Sequence, residues 1–349
     1  MRLARIRLAA IAGLIAILVL VPVGFWLAAT LRETETSQAL APSTGRFVST
    51  GAGRMFVTEA GPPDGALIVL VHGTAAWSEV WRPVMDHLAR RGHRVVAFDV
   101  PPFGFSERDA AADYSRATQA GRFVALFDAL GLRAPIVVAH SIGAAPTAEA
   151  AIRHPERFGG LVLVCGALGL TDGTRADGPL LIQSLLDQPI LRDPLIAATA
   201  TNPWLTKALF SRLVARKDAI GDDLIATLQR PMRLEGSTRA LGRWISDLLK
   251  PDANALSTQT ASYARIAAPA ELIWGERDAI TPLNQAHAAQ RLFPDSGLAV
   301  LDGLGHVPQV EDKAAFLFAL DRALDRLARR RAEPAKPSAR SDRVESPGR

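Results

Sequence analysis

Residues 139–164 read AHSIGAAPTAEAAIRHPERFGGLVLV, and this stretch decides the fold. The apolar run 135–139 predicts a strand, and residues 142–154 predict a helix. A serine between them, with small residues two positions before and after it, has the context of a nucleophile elbow. In such a turn the serine is strained, and the helix N-terminus beneath it favours developing negative charge. A chance pattern in an ordinary strand–helix turn is the alternative interpretation.

The sequence on both sides of this stretch alternates short β-rich runs with helical runs. Strands are predicted at 66–71, 93–98, 161–164, 271–274 and 298–301, and helices at 81–91, 118–130, 282–292 and 313–330. Between 171 and 264 the alternation is replaced by helical segments broken by Pro and Gly. The pattern predicts an α/β fold: a mostly parallel, doubly wound sheet with an inserted helical cap.

The same reading divides the chain into six parts. Residues 1–33 form a membrane anchor or signal segment, and residues 34–46 a polar linker. The core comprises 47–170 and 265–331, with the cap at 171–264 between them. Residues 332–349, rich in Pro, Ser, Ala and Arg, are predicted to be a disordered basic tail.

An uncharged segment near the N-terminus, residues 8–31, is long enough to span a bilayer as a helix. Arg2, Arg5 and Arg7 precede it, which predicts a cytoplasmic N-terminus and a catalytic domain on the far side. A cleaved signal peptide is the main alternative, although the run exceeds the usual h-region and Ala28-Ala29-Thr30 is only a fair cleavage site. A buried helix of a globular domain is the third interpretation.

The charge distribution argues against a nucleic-acid partner. The chain carries a net charge of +5, but residues 1–7 contribute +3 and residues 329–349 contribute +4. The remainder is close to neutral, which does not predict a basic groove.

The single cysteine, Cys165, permits no intrachain disulfide and no cysteine-based zinc site. No cofactor motif was found, so no cofactor is predicted, and the oligomeric state is left open.

Five motifs in order along the chain, the elbow among them, resemble the α/β-hydrolase superfamily over about residues 50–330, leaving out the insertion. His72-Gly73-Thr74 resembles the family's oxyanion turn, and DVPPFGFS (99–106) its Asp-x-x-Gly-x-Gly-x-Ser loop, with Pro102 in place of the first Gly. The elbow departs only by Ala139 in place of a Gly. WGERD (274–278) resembles the turn that carries the acid, and GHVP (305–308), with Glu311, the histidine loop.

The resemblance implies a catalytic triad of Ser141, His306 and Asp278, with the backbone N–H groups of Thr74 and Ile142 as the oxyanion hole. Serine needs an adjacent base, histidine can take and return its proton, and a carboxylate fixes the histidine tautomer. Glu276 is the alternative acid, although a solvated turn residue is the simpler interpretation of that position.

The expected activity is hydrolysis of an ester, or a related acyl bond, of a largely apolar small substrate through an acyl-enzyme. Hydrolytic C–C cleavage of ring-fission products is an alternative, although that branch usually has tryptophan after the histidine, where this chain has Val307. Perhydrolase or acyltransferase activity also remains open. An inactive hydrolase fold that serves as a binding module is the non-enzymatic alternative.

Overall fold

The computed structural model describes residues 2–109, 111–170, 180–250, 252 and 255–332. The predicted basic tail, apart from Ala332, and the first part of the predicted cap, 171–179, lie outside these ranges.

Eight strands form one sheet in the order β1-β2-β4-β3-β5-β6-β7-β8. Their bounds are β1 Gly45–Thr50, β2 Gly53–Ala60, β3 Leu67–Val71, β4 Arg94–Phe98, β5 Ile136–His140, β6 Gly160–Val164, β7 Ala270–Gly275 and β8 Leu298–Leu301. β2 pairs antiparallel with both β1 and β4, and every pair from β4 to β8 is parallel. The predicted mostly parallel sheet is therefore confirmed.

The helices described are α1 Arg2–Arg32, α2 Ser37–Leu40, α3 Arg82–Arg90, α4 Arg116–Ala129, α5 Ala144–Arg153, α6 Leu180–Leu186, α7 Pro189–Ala198, α8 Thr206–Phe210, α9 Asp222–Gln229, α10 Ser237–Leu249, α11 Leu283–Leu292, α12 Pro308–Glu311 and α13 Lys313–Ala332. Side chains alternate across the sheet, as the two-residue period of a strand requires. In β3, Val69 and Val71 pack with α4 and α5, whereas Ile68 and Leu70 pack with α3 and α13. Because both faces are covered, the central strands are continuously apolar.

The insertion between β6 and β7 contains α6 to α10, which we call the cap. The last part of the predicted cap range differs from this arrangement. Residues Leu256–Thr258 and Thr260–Arg265 form 3₁₀ turns that pack against α5, and Tyr263 lies in the main core. The helical cap thus ends with α10, because apolar side chains that follow α10, such as Tyr263, pack in the core of the α/β domain.

The N-terminal segment forms a single helix, α1, that continues through Pro22. Within the described residues, α1 is the one helix with the length and mean hydropathy needed to cross a membrane. Its C-terminal part packs against α7 of the cap, and Ala29 is fully buried there.

The segment predicted as a linker, residues 34–46, is fixed to the cap. The N–H of Glu35 donates to the carbonyl of Arg233 (3.1 Å), and the N–H of Glu235 donates back to the carbonyl of Glu35 (3.0 Å). Arg230 also donates to the carbonyl of Leu40 (2.7 Å). These long-range contacts order a polar stretch whose composition alone predicts no regular structure.

Candidate active site

Ser141 sits at the turn from β5 into α5 with a φ of 53°. A positive φ in a residue other than glycine is strained and persists only where the surrounding structure holds it. Two glycines allow this close packing. A Cβ on Gly73 would lie 2.8 Å from the Cβ of Ser141, and one on Gly143 would lie 2.5 Å from the carbonyl oxygen of His72. The local geometry is that of the predicted elbow.

His306 reaches the serine from the loop after β8. Its Nε2 lies 2.7 Å from the Oγ of Ser141. Its backbone N–H donates to the carbonyl of Leu213 in the cap (2.9 Å), which fixes the loop. Both side chains are almost completely buried. In this position the imidazole can accept the serine proton directly.

Asp278 lies behind His306, in the turn after β7. Its Oδ2 accepts a hydrogen bond from Nδ1 of His306 (2.8 Å) and one from Oγ1 of Thr281 (2.6 Å). Its Oδ1 accepts from the backbone N–H groups of Ile280 and Thr281 (2.8 and 2.9 Å). Burial alone would raise the pKa of this carboxyl, but these hydrogen bonds and the charge of His306 outweigh it and lower the pKa below its usual range. The group is therefore held as a carboxylate.

Thr281 was not predicted from the sequence as a site residue. Its hydroxyl donates to Asp278, and its Oγ1 also lies 3.3 Å from Nδ1 of His306. A threonine three residues after an aspartate in a turn is a weak signal that indicates a local hydrogen bond but not its place in the site.

Glu276, the alternative acid, lies away from His306. Its side chain is exposed, and its Oε2 accepts from the backbone N–H of Gly303 (2.9 Å). This is the contact of a solvated turn residue.

The two N–H groups predicted to form the oxyanion hole belong to the turns that follow the neighbouring parallel strands β3 and β5. Ile142 follows Ser141 in the first turn of the helical segment, where backbone N–H groups have no partner within the helix. Thr74 follows Gly73 in the turn after β3. His72 fixes this turn, because its Nδ1 donates to the carbonyl of Gly73 (2.8 Å) and its Nε2 accepts from the N–H of Val100 (2.9 Å). Burial lowers the pKa of His72 to about 4, so the ring is neutral and suited to this role.

His140, the residue before Ser141, contacts the loop that carries His306. Its Nε2 donates to the carbonyl oxygen of His306 (2.8 Å). Burial, and then the nearby His306, lower the pKa of His140 to about 3, so the ring stays neutral. The elbow and the histidine loop are thereby joined directly.

Glu311 links the histidine loop to the cap. Its buried carboxylate accepts the backbone N–H groups of Gly305 (2.9 Å) and Val307 (3.2 Å) on either side of His306. The same carboxylate accepts those of Ala215 (2.8 Å) and Arg216 (3.0 Å) after α8. The carboxylate of Glu311 thus links the cap to the histidine loop.

We expect Glu311→Gln to lower the free energy of unfolding by about 2–4 kcal/mol, because an amide has one acceptor oxygen and turns its NH₂ toward backbone donors. Turnover should fall as well, because the loop that carries His306 loses its anchor. Thermal unfolding and initial rates measure both effects. Glu276→Gln is the matched control, since Glu276 accepts a single N–H at the exposed side of the same loop. Equal stability of the two variants would contradict the linking role.

Cys165 lies beside the triad. Its Sγ and the ligand atoms of Asp278 and His306 lie within 4.8 Å of one another, and burial raises the pKa of the thiol well above its usual value. Both ring nitrogens of His306 are already engaged in hydrogen bonds, Nε2 with Ser141 and Nδ1 with Asp278. A protonated thiol is a poor metal ligand, so this cluster fits a hydrogen-bonded triad better than a metal site.

Two cavities meet above the elbow. The first, of about 890 Å³, is lined by Ile142 and Gly143 and by several polar residues. The second, of about 380 Å³, is mostly apolar and begins at Thr74. Three residues line both: Phe103, Trp244 and Ile280. Phe103 of the core and Trp244 of α10 are in edge-to-face contact with ring centroids 4.9 Å apart, so the cap closes over the junction.

Comparison with known proteins agrees with this architecture. A family model described as the alpha/beta hydrolase fold matches residues 66–313. An uncharacterized protein of Mycobacterium tuberculosis is 28% identical over 304 residues, which cover 84% of this chain and 85% of that protein. The 2-hydroxymuconate semialdehyde hydrolase of a Pseudomonas species is 26% identical over 281 residues, covering 79% and 92%.

Among solved structures, a bacterial membrane phospholipase A superposes with a TM-score of 0.65 at 21% identity. The superposition covers 94% of this chain and 99% of that protein. At this identity the likeness concerns the fold.

Proposed function

This chain belongs to the α/β-hydrolase fold family, and from that premise we propose that it is a serine hydrolase that cleaves an ester or related acyl bond of a largely apolar small substrate. The observation that carries the proposal is the chain of hydrogen bonds from Ser141 Oγ to His306 Nε2 (2.7 Å) and from His306 Nδ1 to Asp278 Oδ2 (2.8 Å). The strained φ of Ser141 supports it, since such strain concentrates at functional sites.

In the proposed reaction, the Oγ of Ser141 attacks the carbonyl carbon while Nε2 of His306 takes the hydroxyl proton. The tetrahedral intermediate carries its negative charge on the former carbonyl oxygen, where the N–H groups of Thr74 and Ile142 stabilise it. Collapse breaks the ester bond, and His306 returns the proton to the departing alcohol. Water then attacks the acyl-enzyme by the same steps, releases the carboxylic acid and restores Ser141.

The two cavities suggest how an ester is held. The second cavity is lined by apolar side chains suited to an acyl chain, among them Phe210, Leu213 and Leu241. The first cavity is lined by several polar residues, including Gln119, Asp247 and Asp252, which suit a polar alcohol part. An apolar acyl group with a more polar leaving group is therefore the proposed substrate class.

The proposal is tested with a fluorophosphonate probe and a series of p-nitrophenyl esters of increasing chain length. Covalent labelling of the purified protein and turnover that rises with chain length up to the capacity of the second cavity are expected. A ring-fission product belongs in the same panel, because the relatives include 2-hydroxymuconate semialdehyde hydrolase. Preference for that substrate would favour C–C cleavage, and failure to label would favour an inactive binding module.

We further propose that α1 anchors the protein in a membrane, with the catalytic domain outside the cytoplasm. The uncharged run and the arginines before it support this topology. The packing of α1 on the cap also supports an uncleaved helix, since cleavage near Thr30 would remove the turns around Ala29 that cover α7.

Deleting residues 1–21 is expected to move the protein from the membrane to the soluble fraction with its ester turnover retained, since the described side chains of this stretch are exposed. Deleting residues 1–34 should cost about 2 kcal/mol or more in unfolding free energy, because it removes the part of α1 that packs on α7 and the hydrogen bonds from Thr238 to Glu33 (3.1 and 3.2 Å). Fractionation and thermal unfolding measure the two effects. Full-length protein found soluble with its N-terminus intact would contradict the anchor.

A further inference from the structure

The helix α1 has two parts with different surroundings. From residue 8 to residue 21 every described side chain is exposed. From Pro22 onward the side chains are partly covered on one face, and Ala29 is fully buried against the cap. The contact is with α7, which runs beside this second part.

The first part is too short to cross a membrane alone. Fourteen residues at about 1.5 Å each extend about 21 Å, whereas the hydrocarbon core of a bilayer is about 30 Å thick. The missing length corresponds to about six further residues, 22–27, which lie in the region where α1 meets the cap. If α1 spans the membrane, the adjoining cap surface therefore reaches bilayer depth with it.

The cap exposes large apolar side chains at this place. Ile190 and Trp204 are each 82% exposed, and Trp204 meets the ring of Phe25 of α1 edge to face, with centroids 5.8 Å apart. The exposed apolar side chains of α7, of α8 and of the 3₁₀ turn before α8 make up what we call the cap face: Ile190, Leu191, Leu195, Trp204, Leu205 and Leu209. Several large apolar side chains exposed in one region are costly in water, and tryptophan beside a membrane helix is typical of the membrane interface.

The second cavity adjoins the cap face. Leu209 contributes to both, and Ala200, Thr201 and Thr206 line the cavity from the same segment. The guanidinium of Arg32, at the end of α1, donates to the carbonyl of Thr201 (3.0 Å). The membrane helix, the apolar face and the proposed acyl cavity are therefore in contact with one another.

We propose that the cap face inserts into the bilayer leaflet around α1 and that the acyl chain of a membrane-resident ester passes from this leaflet into the second cavity. The proposal rests on the membrane anchor and the ester hydrolysis proposed above. Its occupant is the lipid bilayer, because the end of α1 that packs on the cap fixes this face at the depth of the bilayer. The substrate class is then an acyl lipid rather than a freely soluble ester.

Depth is measured on the full chain in vesicles of equal parts phosphatidylcholine and phosphatidylglycerol. A fluorophore is attached to Ile190→Cys, to Leu18→Cys on the exposed part of α1, and to Phe318→Cys on α13. The native Cys165 is buried and does not compete for the label. Quenching by bromine-labelled lipid is expected at positions 18 and 190 but not at 318, although Phe318 is 66% exposed.

Catalysis is measured on two substrates, a short soluble p-nitrophenyl ester and a long-chain ester dissolved in the vesicles. The double variant Ile190→Asp/Trp204→Gln should lose about tenfold or more of its turnover on the vesicle-borne ester, because two apolar side chains no longer enter the leaflet. Its turnover on the soluble ester should stay within about twofold. Aspartate is favourable in the first turn of α7, which helps the variant to fold. Phe318→Asp should change neither rate.

The outcomes distinguish a failure of this inference from a failure of the membrane anchor or of the ester hydrolysis on which it rests. No quenching at position 18 means that α1 is not inserted, which overturns the anchor and the inference with it. Quenching at 18 but not at 190 overturns the inference alone. Equal losses on both substrates also overturn it, since they would show damage to the site instead of impaired access from the membrane. No turnover of either ester by the unmodified chain refutes the proposed function.

Discussion

Replacing Ser141 with alanine is expected to lower ester turnover by a factor of about 10⁴ to 10⁶ and to leave the fold intact. In the proposed reaction the hydroxyl oxygen of Ser141 forms the acyl-enzyme, and the only described hydrogen-bond partner of this hydroxyl is Nε2 of His306. Alanine removes the nucleophile and keeps the Cβ that packs against Gly73. Stability should change little or rise, since a buried polar group is lost at a strained position.

Turnover, fluorophosphonate labelling and thermal unfolding of the purified variant check this expectation. Ser49→Ala, at an exposed position on the edge strand β1, is the matched control and should label and turn over normally. A Ser141→Ala protein that keeps more than about a tenth of the turnover would remove Ser141 from the nucleophile role. A folded variant that still labels would do the same.

The central part of the fold could be predicted because its signals are local. The runs that became β3 and β5 are apolar throughout, since each lies between two strands and under two layers of helices. The turn at Ser141 was recognisable because its geometry demands small residues at fixed offsets. The short loops after β7 and β8 then bring Asp278 and His306 to the same sheet edge, since the carboxyl ends of parallel strands meet there.

What could not be predicted depends on contacts between distant parts of the chain. The partners of Glu311 in the cap, Ala215 and Arg216, lie about 95 residues earlier, and nothing in their local sequence indicates them. The packing of α1 on α7 is likewise invisible in the sequence, because an uncharged helix looks the same whether lipid or protein covers its last turns. The segment predicted as a linker is ordered for the same reason.

Asp278→Asn is expected to lower turnover by about 10⁴, and the hydrogen bonds around Asp278 explain why the effect should be so large. Oδ1 accepts from the N–H groups of Ile280 and Thr281, so an asparagine keeps its oxygen there. Its NH₂ then takes the place of Oδ2 and donates to Nδ1 of His306. The imidazole must in turn carry its proton on Nε2, where it can no longer accept the proton of Ser141.

Glu276→Gln is the matched control, since Glu276 is the other carboxylate of the same turn and was the alternative acid. It should keep turnover within about twofold, because its side chain contacts the N–H of Gly303 and not the imidazole. A larger loss in Glu276→Gln than in Asp278→Asn would reverse the assignment. The Asp278→Asn variant is expected to keep its fold, because the amide oxygen retains both backbone hydrogen bonds. Unfolding curves distinguish a misfolded protein from a folded one that has the wrong histidine tautomer. A stable, inactive Asp278→Asn protein beside an active Glu276→Gln protein is thus the result that assigns the acid to Asp278.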